Sequence, residues 1–143
     1  MVSLVTENAT IGNEQEAAVA ILFGCLVHPD HNIRKNRIEH LSRMLLLSSK
    51  FNDHSLSELA GKAMPLIKIH GNQSVIAHCA PLVSEGFRET LFAMICELLT
   101  REGELSDKES EIVGLTAMYL GLSIEMMQLM ITAFLIRNRW NAS

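Results

Sequence analysis

The chain has 143 residues, a length that suits one domain better than two domains with separate cores. Hydrophobic residues make up 48% and charged residues 20%, which excludes a disordered chain. The formal charge of −4 and the few aromatic residues, 5%, argue against a nucleic-acid partner.

Three short patterns mark the starts of helices. In each, Ser or Asn accepts a hydrogen bond from the backbone three residues later, where a Glu reaches back to the cap. The pairs are Asn13 with Glu16, Ser55 with Glu58, and Ser106 with Glu109. Only three prolines and eight glycines interrupt the chain. The sequence therefore predicts an all-α domain of about seven helices.

The first three helices are predicted from their caps and their apolar spacing. The first covers residues 13–27 and is apolar nearly all round, which is typical of a central helix. The second covers about residues 33–48. Pro65 falls inside the third, so we expect a kink or an early end near Ala63.

The last four helices follow in the same way. A short fourth helix is predicted at residues 73–79, and Pro81 suits the first turn of a long fifth helix. The sixth opens at Ser106. The seventh covers about residues 124–139 and has only two polar residues between Met126 and Ile136. This helix is either central in the fold or presents an exposed surface to a partner.

The second half of the chain repeats features of the first. A shift of 72 residues places Asp30 on Glu102, and a shift of 68 residues places Ser55 on Ser123. We predict two related three-helix units. The resulting division of the chain is a flexible N-terminus at residues 1–12 and a helical domain at residues 13–140, with repeat units at residues 13–69 and 81–139.

Acidic residues concentrate between the fifth and sixth helices, at Glu102, Glu104, Asp107, Glu109 and Glu111. Such clusters of oxygen ligands are typical of sites for hard cations such as Ca²⁺. Local chemistry offers a second interpretation, because Glu109 completes a capping box and Asp107 faces the positive end of a helix. From the residues alone, both interpretations stay open.

The segment RETLFAMICELLTREGELSDKESEIVGLTAMYLGLS, within residues 87–123, resembles the TerB-like family of tellurite-resistance-associated helical proteins. The family signature is an apolar helix, an Asp-Gly-x-apolar turn and a Glu four residues further on. Glu102, Gly103, Leu105 and Glu109 stand at these positions. The stretch AAVAILFGCLVHPDHNIRKNRIEHLSRML looks like a degraded copy. The resemblance implies a duplicated all-helical fold and a role in tellurite, metal or general stress physiology.

The resemblance also implies a divalent-cation site near the paired turns, with Ca²⁺ or another divalent ion as its cofactor. The candidate ligands are Glu102, Glu104, Glu109 and Asp30. In the first copy, Arg37 stands where the family has its later glutamate. A site shared by both copies then has one negative charge fewer and one positive charge more. This change of about two charges weakens cation binding.

The second helix carries a basic stretch, Arg34, Lys35, Arg37 and Arg43, which is either a solvated face or a docking surface for an acidic partner. The three cysteines, an odd number without CxxC spacing, indicate buried, reduced thiols in a cytoplasmic protein. The first residues have no basic region or apolar core, and the longest uncharged stretch, residues 69–84, is interrupted by histidines and a proline. We therefore expect neither a signal peptide nor a transmembrane segment.

The sequence contains no Gly-rich phosphate loop, nucleophile elbow, Cys–His framework or HExxH motif, so we predict that the protein is not an enzyme. The leading hypothesis is a non-catalytic helical binding module with its ion or partner site at residues 102–109 and an unidentified protein partner. The alternative is a structural, homodimerising module that uses the last helix and no metal. A thiol-dependent enzyme using Cys25 or Cys96 is the third hypothesis.

Overall fold

The computed structural model describes residues 11–141, which fold into seven α-helices without a strand. Two short 3₁₀ turns, Ser49–Phe51 and Ala80–Leu82, lie between them. The helices are α1 (Glu14–Gly24), α2 (His31–Leu46), α3 (Leu56–His70), α4 (Asn72–Cys79), α5 (Glu85–Leu99), α6 (Asp107–Tyr119) and α7 (Ile124–Asn138). The all-α prediction is confirmed. The predicted flexible N-terminus falls mostly on residues 1–10, which lie outside the described residues.

Helix α1 is the centre of the fold, as its apolar composition predicts. Every residue from Glu16 to Gly24 is buried, and the helix contacts α3, α4 and α5. Asn13 caps its start by accepting a hydrogen bond from the Glu16 backbone N–H at 2.8 Å. The Glu16 side chain accepts from the Gly12 N–H instead of returning to Asn13, so the capping box is not reciprocal. The helix ends at Gly24, three residues earlier than predicted.

Two predictions about proline need correction. The early end of the third helix near Ala63 is wrong, because α3 continues through Pro65 to His70. A kink there stays a prediction. Proline removes the hydrogen bond to the carbonyl four residues earlier, which belongs to Gly61, and Gly61 is exposed where water can replace the lost donor. Pro81 lies in the 3₁₀ turn that precedes α5, and α5 itself begins at Glu85.

Only one pair of helices keeps its predicted shift between the two halves, since α2 and α6 begin at His31 and Asp107, 76 and not 72 positions apart. Helices α3 and α7 are both 15 residues long, and their first residues, Leu56 and Ile124, are 68 positions apart. Each follows a serine cap, Ser55 or Ser123, whose side chain accepts a backbone N–H. The two-unit repeat itself stays a prediction.

Helix α7 lies at the surface, whereas α3, its counterpart in the predicted repeat, packs on the central helix. Within α7 only Asn138 is buried, and the helix contacts α5 and α6. The interpretation that α7 is central in the fold is therefore wrong. No helix in the part of the chain that the structure describes is long and apolar enough to cross a membrane.

Two ion pairs link the start of the central helix α1 to neighbouring segments of the chain. Glu14 accepts hydrogen bonds from the Lys50 ammonium and the Ser84 N–H, and Glu16 pairs with Lys62 at 2.7 Å. Partial burial by itself would raise the pKa of Glu14, but the hydrogen bonds from Lys50 and Ser84 outweigh it and lower the pKa from 4.5 to about 2.

We expect the protein to lose stability as the pH falls from about 4.5 towards 2. The folded state holds Glu14 ionised there, whereas the unfolded chain takes up a proton. A Glu14→Gln variant should lose up to about 3 kcal/mol at neutral pH and show a flatter acid profile. Urea unfolding between pH 2 and 7 measures this, with Glu89→Gln, an exposed site, as the control. Parallel pH profiles for wild type and Glu14→Gln would contradict it.

Candidate functional site

Arg37 is the buried centre of the predicted acidic site. Asp30 caps α2 by accepting from the Asn32 and Ile33 N–H groups at 2.8 and 3.2 Å, which sets where the helix begins. From that start, Arg37, Leu41 and Leu45 fall on one face at four-residue spacing, and they are the three buried residues of α2. Arg37 is only 1% exposed. The prediction that the basic stretch is a solvated face is therefore wrong for Arg37.

The Arg37 guanidinium lies between two carboxylates from the other half of the chain. Its Nη2 donates to Glu102 Oε1 at 2.6 Å and to the Leu99 carbonyl at 3.0 Å, and its Nη1 donates to Glu109 Oε2. Glu109 is fully buried, whereas the Glu102 side chain is 32% exposed. The Nε of Arg37 is buried and has no hydrogen-bond partner among the described residues.

Glu109 has the capping role that the sequence predicts and a second role as the partner of Arg37. Its Oε1 accepts from the Ser106 N–H at 3.0 Å, and Ser106 Oγ accepts from the Glu109 N–H at 3.2 Å. This confirms the predicted capping box at the start of α6. Its other oxygen, Oε2, neutralises Arg37. One buried carboxylate thus fixes the beginning of α6 and links it to α2 through Arg37.

The structure brings together only part of the predicted ligand set. Glu102 and Glu109 both bind Arg37, and Glu104 lines the same cleft of 290 Å³ between the two turns, together with His28. Asp30 is engaged as the cap of α2. Between residues 11 and 141, no group of three or more His, Cys, Asp or Glu side chains is arranged to hold a metal ion. The cation site at Glu102, Glu104, Glu109 and Asp30 stays a prediction.

A cation at this site would compete with the guanidinium, which already supplies positive charge to both carboxylates. We therefore expect the melting temperature of EDTA-treated protein to stay unchanged up to millimolar Ca²⁺ or Mg²⁺. An ion at 100 times its dissociation constant would add about 2.7 kcal/mol, which is easily detected. A rise in melting temperature that Glu104→Gln abolishes would contradict this expectation and establish the ion site.

The three cysteines are buried and unpaired in the described part of the chain. Burial raises the pKa of each thiol to about 12. At Cys25, a hydrogen bond between Sγ and Thr116 Oγ1, 3.4 Å apart, lowers the pKa, whereas the negative charge of Glu109 raises it further. Thiols of this kind have almost no thiolate at neutral pH and are poor nucleophiles.

We expect iodoacetamide at pH 8 to leave Cys25, Cys79 and Cys96 unmodified in the folded protein, because the thiolate is the reactive form. In urea all three should react within the same time. Intact-protein mass spectrometry counts the added groups directly. Rapid modification of a single thiol in the folded chain would support the hypothesis of a thiol-dependent enzyme.

Helix α7 presents an apolar stripe to solvent. Its exposed large members at helical spacing are Leu129, 65% exposed, and Ile136, 55% exposed, and Trp140, 89% exposed, follows in the turn just beyond the end of the helix. We call this stripe the α7 face and define it by six exposed residues: Glu125, Leu129, Thr132, Ala133, Ile136 and Trp140. Apolar residues gathered in one stripe, unlike apolar residues scattered over a surface, indicate a binding surface.

The opposite side of α7 holds the helix in place. Met127, Met130, Ile131 and Phe134 pack against the core. At its end, Asn138 Nδ2 donates to Thr100 Oγ1 at 3.0 Å. The α7 face is therefore uncovered although the helix that carries it is firmly attached.

Comparisons of the chain with known protein families, curated proteins and solved structures find no match. The function is consequently inferred from the two features that the geometry defines. One is an internally neutralised Arg–carboxylate cluster, and the other is the α7 face.

Proposed function

We propose that the protein is a non-catalytic helical module that binds another protein surface through the α7 face. The observation that carries this proposal is the exposure of two large apolar side chains, Leu129 and Ile136, along one side of a helix, with the exposed Trp140 just beyond its end. Aromatic and aliphatic side chains of this kind supply most of the binding energy at protein interfaces.

The buried groups support a binding role over catalysis. Arg37 is enclosed and hydrogen-bonded on both Nη atoms, so it holds helices together and is not presented to a ligand. The cysteines have strongly raised pKa values and lie in the core. Buried, unpaired cysteines also support the proposed cytoplasmic location.

The relation to the TerB-like family is part of the proposal. It is supported by the equal length and the 68-residue separation of α3 and α7, and by the meeting of the turns around His28 and Glu102 in one cleft. The tellurite, metal or stress-response role that the family implies stays a prediction. In this chain, Arg37 is placed where a shared cation site would require a carboxylate.

Site-specific photocrosslinking in the native cell tests the proposed binding surface. A photoreactive amino acid replaces Gln128, which is exposed on α7 beside the face, or Ser57, which is exposed on α3. We expect protein adducts from position 128, and their loss when Leu129 and Ile136 are both changed to aspartate. The Ser57 position serves as the matched control.

The result would count against the proposal in either of two cases. Adducts from both positions in equal amount would show non-specific contact. Adducts from position 128 that persist in the Leu129→Asp/Ile136→Asp variant would show that the apolar stripe is not the binding surface. Circular dichroism verifies that the variant retains its helices.

A further inference from the structure

We infer that the partner of the α7 face is a second copy of this chain, packed with its α7 antiparallel to the first. This inference rests on the proposed function and names the partner of that surface. It follows from three properties of α7: the charges at its ends, the order of side chains along the stripe, and the polarity of its flanks.

The charges at the two ends of α7 are opposite in sign. Glu125 lies in the first turn, Arg137 and Arg139 lie at the end, and no charged residue stands between Glu125 and Arg137. All three are exposed, and none forms an ion pair within residues 11–141. A parallel pair of helices would place like charges together, whereas an antiparallel pair places Glu125 beside the basic end of the other copy. It also opposes the two helix dipoles.

The order of side chains fits a two-fold axis in the middle of the stripe. Leu129 and Ile136 are seven residues apart, two helical turns, and Thr132 and Ala133 lie midway between them. In an antiparallel pair centred between Thr132 and Ala133, Leu129 of one copy meets Ile136 of the other, and the contact occurs twice. The two small side chains in the centre let the helices approach closely.

The same register determines which charged residues meet and limits the assembly to two copies. Centring the pair between Thr132 and Ala133 brings Glu125 of one copy to the end of α7 in the other, beside its Arg139. Each copy uses the same patch and leaves no second patch free, so the contact is isologous and produces a dimer and not a filament.

The polar residues beside the stripe indicate that the partner of the α7 face is a protein and not a lipid bilayer. Helices that lie on membranes carry Lys and Arg along their polar side. Here the exposed polar residues before the final turn are Glu125, Gln128 and Thr132, and the only basic residues stand at the end. The chain as a whole carries a charge of −4, which disfavours an anionic bilayer.

Sedimentation equilibrium of the full chain measures the self-association directly. We expect a dimer whose dissociation constant rises roughly 30-fold or more in Ile136→Asp, a change that disrupts both symmetry-related contacts between Leu129 and Ile136. Leu47→Asp replaces an even more exposed apolar residue at the end of α2, 89% exposed, and should leave the dissociation constant unchanged.

Charge exchange tests the antiparallel register. Glu125→Arg alone and Arg139→Glu alone should each weaken the dimer about fivefold, since each breaks two symmetry-related surface ion pairs. The Glu125→Arg/Arg139→Glu double variant should return to within about twofold of wild type, because both pairs are re-formed with reversed polarity. Failure of the double variant to recover would overturn the register.

The outcomes separate this inference from the proposed function. A wild-type monomer at millimolar concentration overturns the dimer, and so does a dimer that Leu129→Asp and Ile136→Asp leave intact. A monomer whose crosslinks from position 128 reach another protein, and depend on Leu129 and Ile136, keeps the proposed function and overturns the inference. A monomer that binds phosphatidylserine vesicles through Ile136 and gives no protein adducts overturns both.

Discussion

Replacement of Arg37 by methionine is expected to lower the free energy of unfolding by about 3–5 kcal/mol. The variant leaves the carboxylate of Glu109, which is fully buried, without its positive partner. Methionine fills a comparable volume with a flexible apolar chain, so it leaves little empty space. The loss of stability therefore comes mainly from the uncompensated charge of Glu109. Urea unfolding at neutral pH measures the change as a lower midpoint.

Two further variants isolate the cause. Arg43→Met changes an exposed arginine on the same helix and should alter stability by no more than about 0.5 kcal/mol. Arg37→Met combined with Glu109→Gln removes both charges and keeps an amide oxygen for the Ser106 N–H, so a large part of the loss should be recovered. A double variant as unstable as Arg37→Met alone would mean that the shape of the arginine, and not its charge, holds the helices together.

The helices of this chain were predictable because their signals act within a single turn. Asn13, Ser55, Ser106 and Ser123 each accept the backbone N–H that their position predicts. Helix caps and apolar spacing are local in sequence, so the helices can be predicted from them without knowing how the chain packs. The errors at Pro65 and Pro81 arose where solvent or a 3₁₀ turn offered the backbone an alternative.

The role of Arg37 depends on packing between distant segments, and only indirect signals pointed to it. Arg37 precedes Leu41 and Leu45 at helical spacing, which places it on the buried face of α2. It also precedes Glu109 by 72 residues, the shift that relates the predicted units.

The exposure of α7 could not be derived from its composition. Helices α1 and α7 are both apolar nearly all round, yet α1 is enclosed by three helices and α7 is covered on one side only. What differs is the number of neighbours, which depends on how the whole chain is packed. For α7 the sequence therefore supplied two interpretations, and the tertiary structure selected between them.

Replacement of Gly103 by alanine is expected to destabilise the protein by about 2–3 kcal/mol, because two costs coincide at this turn. Its φ of 85° lies in the left-handed region, which a residue with a Cβ atom rarely adopts. An added Cβ would lie 3.2 Å from the Asn138 carbonyl oxygen and 3.3 Å from Arg139 Cα, so the end of α7 would have to move away from the turn.

Gly114→Ala is the matched control and should have the opposite effect. Gly114 lies within α6, an added Cβ there meets nothing within 4 Å, and alanine stabilises helix interiors by about 0.5–1 kcal/mol. The melting temperature should therefore be lower than wild type for Gly103→Ala and higher for Gly114→Ala. A Gly103→Ala variant as stable as wild type would mean that α7 does not close on the turn that carries Glu102. The attachment that holds the α7 face in position would then have to come from Asn138 and the partly buried side of the helix alone.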